Sequence, residues 1–140
     1  MNKGYITITE SKNHEFTVEA KLVNGNVWLS QWEMATLFNV FTKKIESNLK
    51  SIFKARLLRE NEVSMLHTYQ NGDYTSEAIL YNLEAIIFIS FRIGSFEANA
   101  FRQWVLKAFS EYMKNEKARK TDFLVILKSG TDIPLITSLN

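Results

Sequence analysis

The chain has 140 residues, of which 46% are hydrophobic and 13% aromatic, and its formal net charge is +2. This length and apolar content predict a folded domain and exclude a disordered tail. The absence of cysteine excludes disulfides and thiolate metal sites, and two histidines, His14 and His67, are too few for the common protein-only zinc sites. We find no apolar run of signal-peptide or membrane-spanning length, so we expect a cytoplasmic protein without a membrane partner.

The first predicted elements are strands. Apolar and polar residues alternate in YITITE, the stretch SKNH interrupts the pattern, and EFTVEAKLV resumes it. A period of two on both sides of a turn predicts a β-hairpin. The turn signal VNGN precedes VWL, which we expect to form a short strand. The side chains predicted on one face of the second strand are Phe16, Val18, Ala20 and Leu22.

Two short helices are predicted next. Ser30 and Glu33 have the S-x-x-E spacing of a capping box, which starts a helix. Asn39 tolerates the left-handed conformation that ends the helix, and Thr42 is expected to cap the following one. The predicted buried stripe of the second helix comprises Ile45, Leu49, Ile52 and Phe53.

The middle of the chain predicts a second hairpin and a buried helix. An Asn71-Gly72 turn signal lies between two strand-like segments in VSMLHTYQNGDYTSEAILYN. The nearly all-apolar NLEAIIFISFRIG predicts a helix that Asn82 caps and Gly94 stops. Together with the first elements, this order predicts an α+β fold: an N-terminal β-hairpin sheet, a helix-turn-helix, a wing-like β-hairpin and two closing α-helices.

The last predicted helix is long. Ser95 caps it, and it is expected to end near Arg119, which divides the chain into a domain at 1–119 and a C-terminal tail at 120–140. In the tail, FLVIL has three open interpretations. We expect a strand added to the N-terminal sheet, a helix-to-helix dimer contact, or the opening of a second domain that is cut short.

Basic residues are concentrated in two blocks. In residues 41–59, six basic residues stand against Glu46 alone, a local net charge of +5; in residues 101–120, six stand against two acidic ones, giving +4. Such polarity is typical of a surface that binds a polyanion, although a solvated helix surface has the same pattern.

The spacing within residues 27–53 fits a DNA-reading helix-turn-helix. That motif needs a small residue in the first helix, a flexible residue at the turn and an aliphatic residue early in the second helix. Ala35, Asn39 and Ile45 stand at those positions. Two helices of an ordinary core would need only the apolar positions of the second helix, so packing alone also explains the pattern.

Several segments resemble a known family. VWLSQWEMATLFNV and TKKIESNLKSIF resemble the start of the RhuM family, bacterial and mobile-element proteins called virulence proteins, which carry VWL, a Q-x-x-M-A-x-L-F helix and a helix ending I-x-x-I-F. YNLEAIIFISFRIGSFEANAFRQW resembles that family's Y-N-L-D-x-I-I segment and its F-R-x-W box, here Phe101, Arg102 and Trp104. The same half resembles the N-terminal domain of the viral and phage BRO family, which is associated with DNA binding.

The resemblance covers residues 27–115 and implies a winged-helix-type DNA-binding domain of phage-like ancestry. Asn39 stands where the family usually has glycine, and Phe41 where a polar residue is common. By analogy we expect a transcriptional regulator of a mobile element. We also expect a homodimer, because two-fold symmetry doubles the length of DNA that one recognition helix reads.

The exposed face of the second helix supplies the expected DNA contacts. Major-groove readers contact bases near the start of the recognition helix, where the dipole also favours a phosphate. The residues expected there are Thr42, Lys43, Lys44, Ser47 and Lys50. Phosphate contacts that position without reading sequence are expected from Lys54, Arg56 and Arg59.

Other conspicuous residues have structural interpretations. Arg92 and Arg102 have the charge to reach a phosphate, but their mostly apolar neighbourhood favours ion pairs with Glu84 or Glu97, or binding to a helix carboxyl terminus. Trp28, Trp32 and Trp104 are expected to pack in a core or an interface.

Catalysis is not expected, since the chain has no phosphate-cradling glycine loop, nucleophile elbow or paired catalytic histidines. For the same reasons we expect neither a cofactor nor a bound metal. The competing interpretation is a protein-interaction or oligomerisation module. In that case the helix-turn-helix is only a scaffold, and the long helix or the tail binds a protein partner.

Overall fold

The computed structural model describes the backbone of residues 1–118, 123–128 and 134–139 and the side chains of residues 1–115. The fold is α+β, as predicted, and its described strands form three two-stranded antiparallel sheets. The strands are β1 (Tyr5–Glu10), β2 (Phe16–Lys21), β3 (Ser64–Asn71), β4 (Tyr74–Tyr81), β5 (Phe123–Lys128) and β6 (Pro134–Leu139). The described helices are α1 (Gln31–Phe38), α2 (Thr42–Lys54), α3 (Glu60–Val63), α4 (Leu83–Ser90) and α5 (Phe96–Ala118). The chain divides into two compact units, Met1–Val105 and Leu106–Asn140.

The N-terminal hairpin is confirmed. β1 pairs with β2 from Tyr5 opposite Lys21 to Glu10 opposite Phe16. The inward-facing side chains of β2 are half-buried, as the alternation predicted, but Leu22 lies beyond the strand and is 44% exposed. The predicted apolar face is therefore correct as far as the end of β2 and wrong at Leu22.

The turn at residues 23–26 is also confirmed, with positive φ at Asn24 and Gly25. The short strand expected at VWL does not form. Leu29 alone pairs with Tyr81, through two backbone hydrogen bonds of 2.9 and 2.8 Å. Pairing stops there because the capped helix α1 begins two residues later.

Helix α1 begins and ends as predicted. Ser30 and Glu33 form both hydrogen bonds of a capping box, and Asn39 has the left-handed conformation with φ 56° and ψ 51°. The cap expected for α2 is wrong. Phe41, and not Thr42, has the extended backbone of a cap residue, and no side chain caps the helix. Thr42 is instead the first helical residue and is half-buried.

The core lies between α1, α2, α4 and the start of α5. The predicted stripe of α2 is confirmed: Ile45, Leu49 and Ile52 are buried, and Phe53 at its edge stacks on Tyr81 with ring centroids 6.4 Å apart. Across the core, Phe38 and Phe101 are fully buried and meet edge to face at 5.6 Å. Burying side chains of this size contributes about 1.5–3 kcal/mol each.

The second hairpin is confirmed, but its turn lies one residue later than predicted. Asn71 still pairs with Tyr74, which leaves Gly72 and Asp73 as the two-residue connection, with Gly72 at φ 66°. A glycine at the first central position suits such a turn because it adopts positive φ without steric cost. The short helix α3 before the hairpin was not predicted.

Helix α4 is capped by Asn82, whose side chain accepts from the Ala85 amide at 3.1 Å, as predicted. It ends at Ser90, four residues before Gly94, so Gly94 does not stop it. Helix α5 starts as predicted, with Ser95 Oγ accepting from the Ala98 amide at 3.0 Å. Its described part ends at Ala118, and Arg119, where the end was expected, lies outside the described residues.

The described strands near the C-terminus pair with each other. β5 runs antiparallel to β6, from Phe123 opposite Leu139 to Lys128 opposite Pro134. FLVIL therefore lies in a strand whose described partner is the next strand in sequence. Within the part of the chain that the structure describes, we find no helix with the length and apolarity needed to cross a membrane.

Candidate nucleic-acid interface

The solvent-facing side of α2 carries two adjacent lines of polar residues. On a helix, residues three and four apart lie on one side. The Lys43 line consists of Lys43, Ser47, Lys50 and Lys54, all exposed. The Lys44 line consists of Lys44, Asn48 and Ser51, of which only Asn48 is half-buried. The predicted outward face of α2 is thus exposed, and the buried stripe keeps it turned away from the core.

A carboxylate lies beside the Lys43 line. Glu46 Oε1 is 3.0 Å from Lys50 Nζ and 4.0 Å from Lys43 Nζ, and those lysine side chains are 76% and 82% exposed. The hydrogen bond and charge of Lys50, with the charge of Lys43, lower the pKa of the Glu46 carboxyl. The carboxylate stays ionised near neutral pH and offsets part of the positive charge of this line.

An arginine from another part of the chain forms hydrogen bonds with the Lys44 line. Arg92, which follows α4, donates from Nε to Asn48 Oδ1 at 3.0 Å and from Nη2 to Ser51 Oγ at 2.9 Å. Asn48 Nδ2 donates in turn to the Lys44 carbonyl at 2.9 Å. The ion pair expected between Arg92 and Glu84 or Glu97 is wrong, because the arginine turns to α2 instead.

Of the other residues predicted to contact DNA, Ser47 and Arg59 have partners within the protein. Ser47 Oγ donates to the Lys43 carbonyl at 2.8 Å, so its proton is engaged within the helix. Arg56, two residues after the end of α2, has a left-handed conformation with φ 60° and is exposed. Arg59 Nη1 lies 3.5 Å from Glu62 Oε1 in α3, which offsets part of its charge.

Arg102 has a structural role. Its Nη1 donates to the carbonyl of Ser90, the last residue of α4, and to that of Ile93 at 2.8 Å. The expected binding of a helix carboxyl terminus is therefore confirmed for this arginine. In the same F-R-x-W box, Phe101 packs against the half-buried Trp104 with ring centroids 5.6 Å apart.

The three tryptophans differ in exposure. Trp28 and Trp104 are half-buried, whereas Trp32 is 67% exposed on α1 and is not part of the core. Its role in an interface stays a prediction. Exposed aromatic surface also appears at Phe41, which is 87% exposed and adjoins a shallow depression at the start of α2. Further residues lining that depression are Asn39, Val40, Lys44 and Gly94.

Sequence reasoning placed the charged face of α2 correctly but missed its partner residues. Asn48 and Ser51 were visible as polar residues at helical spacing. Arg92 gave no such signal, because its sequence neighbours are apolar and the residues it contacts are 41 and 44 positions away.

Among residues whose side chains are described, no three His, Asp or Glu groups are close enough together to hold a metal ion. Comparisons of the chain with protein families, with curated proteins and with solved structures found no match.

Proposed function

We propose that this chain binds duplex DNA through α2, as a non-enzymatic regulator of the RhuM and BRO type. The observation that carries the proposal is the exposed basic face of α2, on which four lysines project from a helix anchored by the buried side chains of Ile45, Leu49 and Ile52. In this proposal α1 and α2 act as the helix-turn-helix, and the β3–β4 hairpin acts as the wing.

The start of α2 suits a phosphate. The first amides of a helix lack partners within the helix and carry the positive end of its dipole. No side chain caps α2, so no side-chain oxygen competes there with an incoming anion. Lys43 and Lys44 lie in this first turn and supply the full charges that the dipole alone lacks.

The remaining basic residues fit a backbone role. Lys54 and Arg56 are exposed at the far end of α2, and Arg59 follows. Contacts of this kind position a protein on the duplex without reading bases. The residues in the first half of α2 would contact the bases. A homodimer would place two such helices in successive major grooves.

Fluorescence anisotropy with mixed-sequence duplex DNA across a salt series tests the proposal. The log affinity should fall with log salt by about 0.9 for each neutralised phosphate, and Lys43→Ala/Lys44→Ala should give a shallower slope. The matched control is Lys12→Ala/Lys21→Ala, which removes the same charge from exposed positions near the N-terminal hairpin. Absence of binding at low salt, or equal slopes for the two variants, would overturn the proposal.

A second candidate function is protein interaction through α5. Leu106, Phe109 and Tyr112 follow one another at spacings of three and are 52%, 58% and 58% exposed. Exposed apolar surface is a common feature of protein–protein contact sites. Sedimentation of the wild type and of Phe109→Ser measures dimer formation, and the anisotropy titration measures the DNA affinity of each. If the variant loses the dimer but keeps its DNA affinity per protomer, α5 serves assembly alone.

A further inference from the structure

We propose that Arg92 is a DNA phosphate contact held in place by α2, so that the interface extends onto the segment between α4 and α5. This inference rests on the proposed function, since it adds one residue to the same DNA-binding face. It starts from the two hydrogen bonds that Arg92 makes to Asn48 and Ser51.

The first argument is geometric. Nε and Nη2 of Arg92 bind side chains that lie one helical turn apart, which fixes both the position and the plane of the guanidinium group. An arginine has further N–H donors on its planar fork, and a pair of them matches the two oxygens of a phosphate. A group that is already ordered loses less conformational freedom on binding.

The second argument is electrostatic. Both acceptors are neutral, and the ion pairs found among the described side chains do not include Arg92. Lys43, Lys50 and Arg59 each lie within 4.0 Å of a glutamate oxygen. Arg92 is exposed and keeps its whole charge for a polyanion, whereas part of the charge of these three cations is offset.

The third argument concerns Asn48. Its Oδ1 accepts from Arg92 while its Nδ2 donates to the Lys44 carbonyl. This second bond sets which end of the amide faces the arginine, and the helix backbone therefore orients the guanidinium through Asn48. We assign Asn48 as a positioning residue that does not itself touch DNA.

The test uses the same anisotropy titrations with three variants. Arg92→Ala should lower the salt slope by about 0.9, the value for one lost phosphate contact. Arg92→Lys keeps the charge and should keep the slope, with weaker binding at every salt concentration because lysine lacks the fork. Asn48→Ala should resemble Arg92→Lys. The control is Lys12→Ala, which removes one exposed charge elsewhere and should leave the slope unchanged.

The outcomes separate this inference from the function on which it rests. A wild-type slope for Arg92→Ala, combined with a reduced slope for Lys43→Ala/Lys44→Ala, would overturn the role of Arg92 and leave DNA binding by α2 intact. Absence of DNA binding by the wild type would overturn both. Urea unfolding of each variant identifies any loss of affinity that arises from unfolding, since the slope is compared only among folded proteins.

Discussion

The Glu33 carboxylate accepts a hydrogen bond from the Ser30 amide at 2.9 Å, and the Glu33 amide donates to Ser30 Oγ at 3.1 Å. The same carboxylate receives Lys3 Nζ at 2.6 and 2.8 Å. The start of α1 is therefore fixed both within its own turn and by the N-terminal segment. Because α1 packs against α2, these bonds also help to place the proposed interface.

Replacement of Ser30 by alanine should destabilise the protein by about 1 kcal/mol, the usual effect of losing an N-cap side chain. The free energy of unfolding in urea measures this loss. The control is Thr36→Ala, because the Thr36 hydroxyl donates only to the Trp32 carbonyl within α1. An equal loss in both variants would show that the cap makes no special contribution.

Acid should weaken the contribution of Glu33. Burial raises the pKa of this carboxyl, but the hydrogen bonds from Lys3 and the Ser30 amide outweigh it and leave the pKa below the ordinary value of 4.5. A carboxyl with a lowered pKa stabilises the fold fully above its unfolded value and loses that contribution as pH falls through the folded value. Glu33→Gln should therefore be less stable than wild type at pH 7, with a smaller difference below pH 4.5.

Urea unfolding of wild type and Glu33→Gln at several pH values measures this difference directly. Lys3 is present in both proteins, so the comparison isolates the glutamate. A difference that is the same at neutral and acidic pH would contradict the role of the ionised carboxylate.

The left-handed conformation of Asn39 predicts different results for two small residues. Alanine should destabilise by about 1 kcal/mol, because it keeps the Cβ that crowds the carbonyl oxygen in this conformation but lacks the short polar side chain that lets asparagine tolerate it. Glycine avoids that clash but is more flexible when unfolded, so Asn39→Gly should be nearly neutral. Thermal unfolding of both variants checks this order, and a stable Asn39→Ala would mean that the turn can change conformation.

Glu46→Gln should strengthen DNA binding. The change removes the carboxylate that Lys43 and Lys50 share, and both lysines then become fully available to phosphates. We expect roughly threefold tighter binding at low salt and a steeper salt slope. Glu19→Gln, at an exposed position of β2, changes the net charge equally. The same gain in both variants would trace the effect to net charge and not to the face of α2.

The elements that could be predicted from sequence are those whose signals are local. The capping box at Ser30, the left-handed Asn39 and the cap at Asn82 each depend on residues within one helical turn. The alternation of β2 and the apolar stripe of α2 depend on periods of a few residues. All these patterns are visible without knowing which segments meet in space.

The features that were missed depend on contacts between distant segments or on single residues. Leu29 pairs with Tyr81 in one isolated β-bridge, which no sequence pattern of strand length predicts. Helix α3 has four residues, too few to show a period. At the start of α2, Thr42 is the better capping residue by type, but the turn at Asn39 gives the extended backbone to Phe41.

Arg102 has a consequence for how mutations in this protein are interpreted. Its guanidinium binds the backbone carbonyls of Ser90 and Ile93, on either side of Arg92, so a half-buried cation helps to position an exposed one. A substitution at Arg102 would release that backbone and disturb the proposed DNA-binding surface without having been part of it. In a mutational screen for DNA binding, it would be mistaken for a residue of the interface.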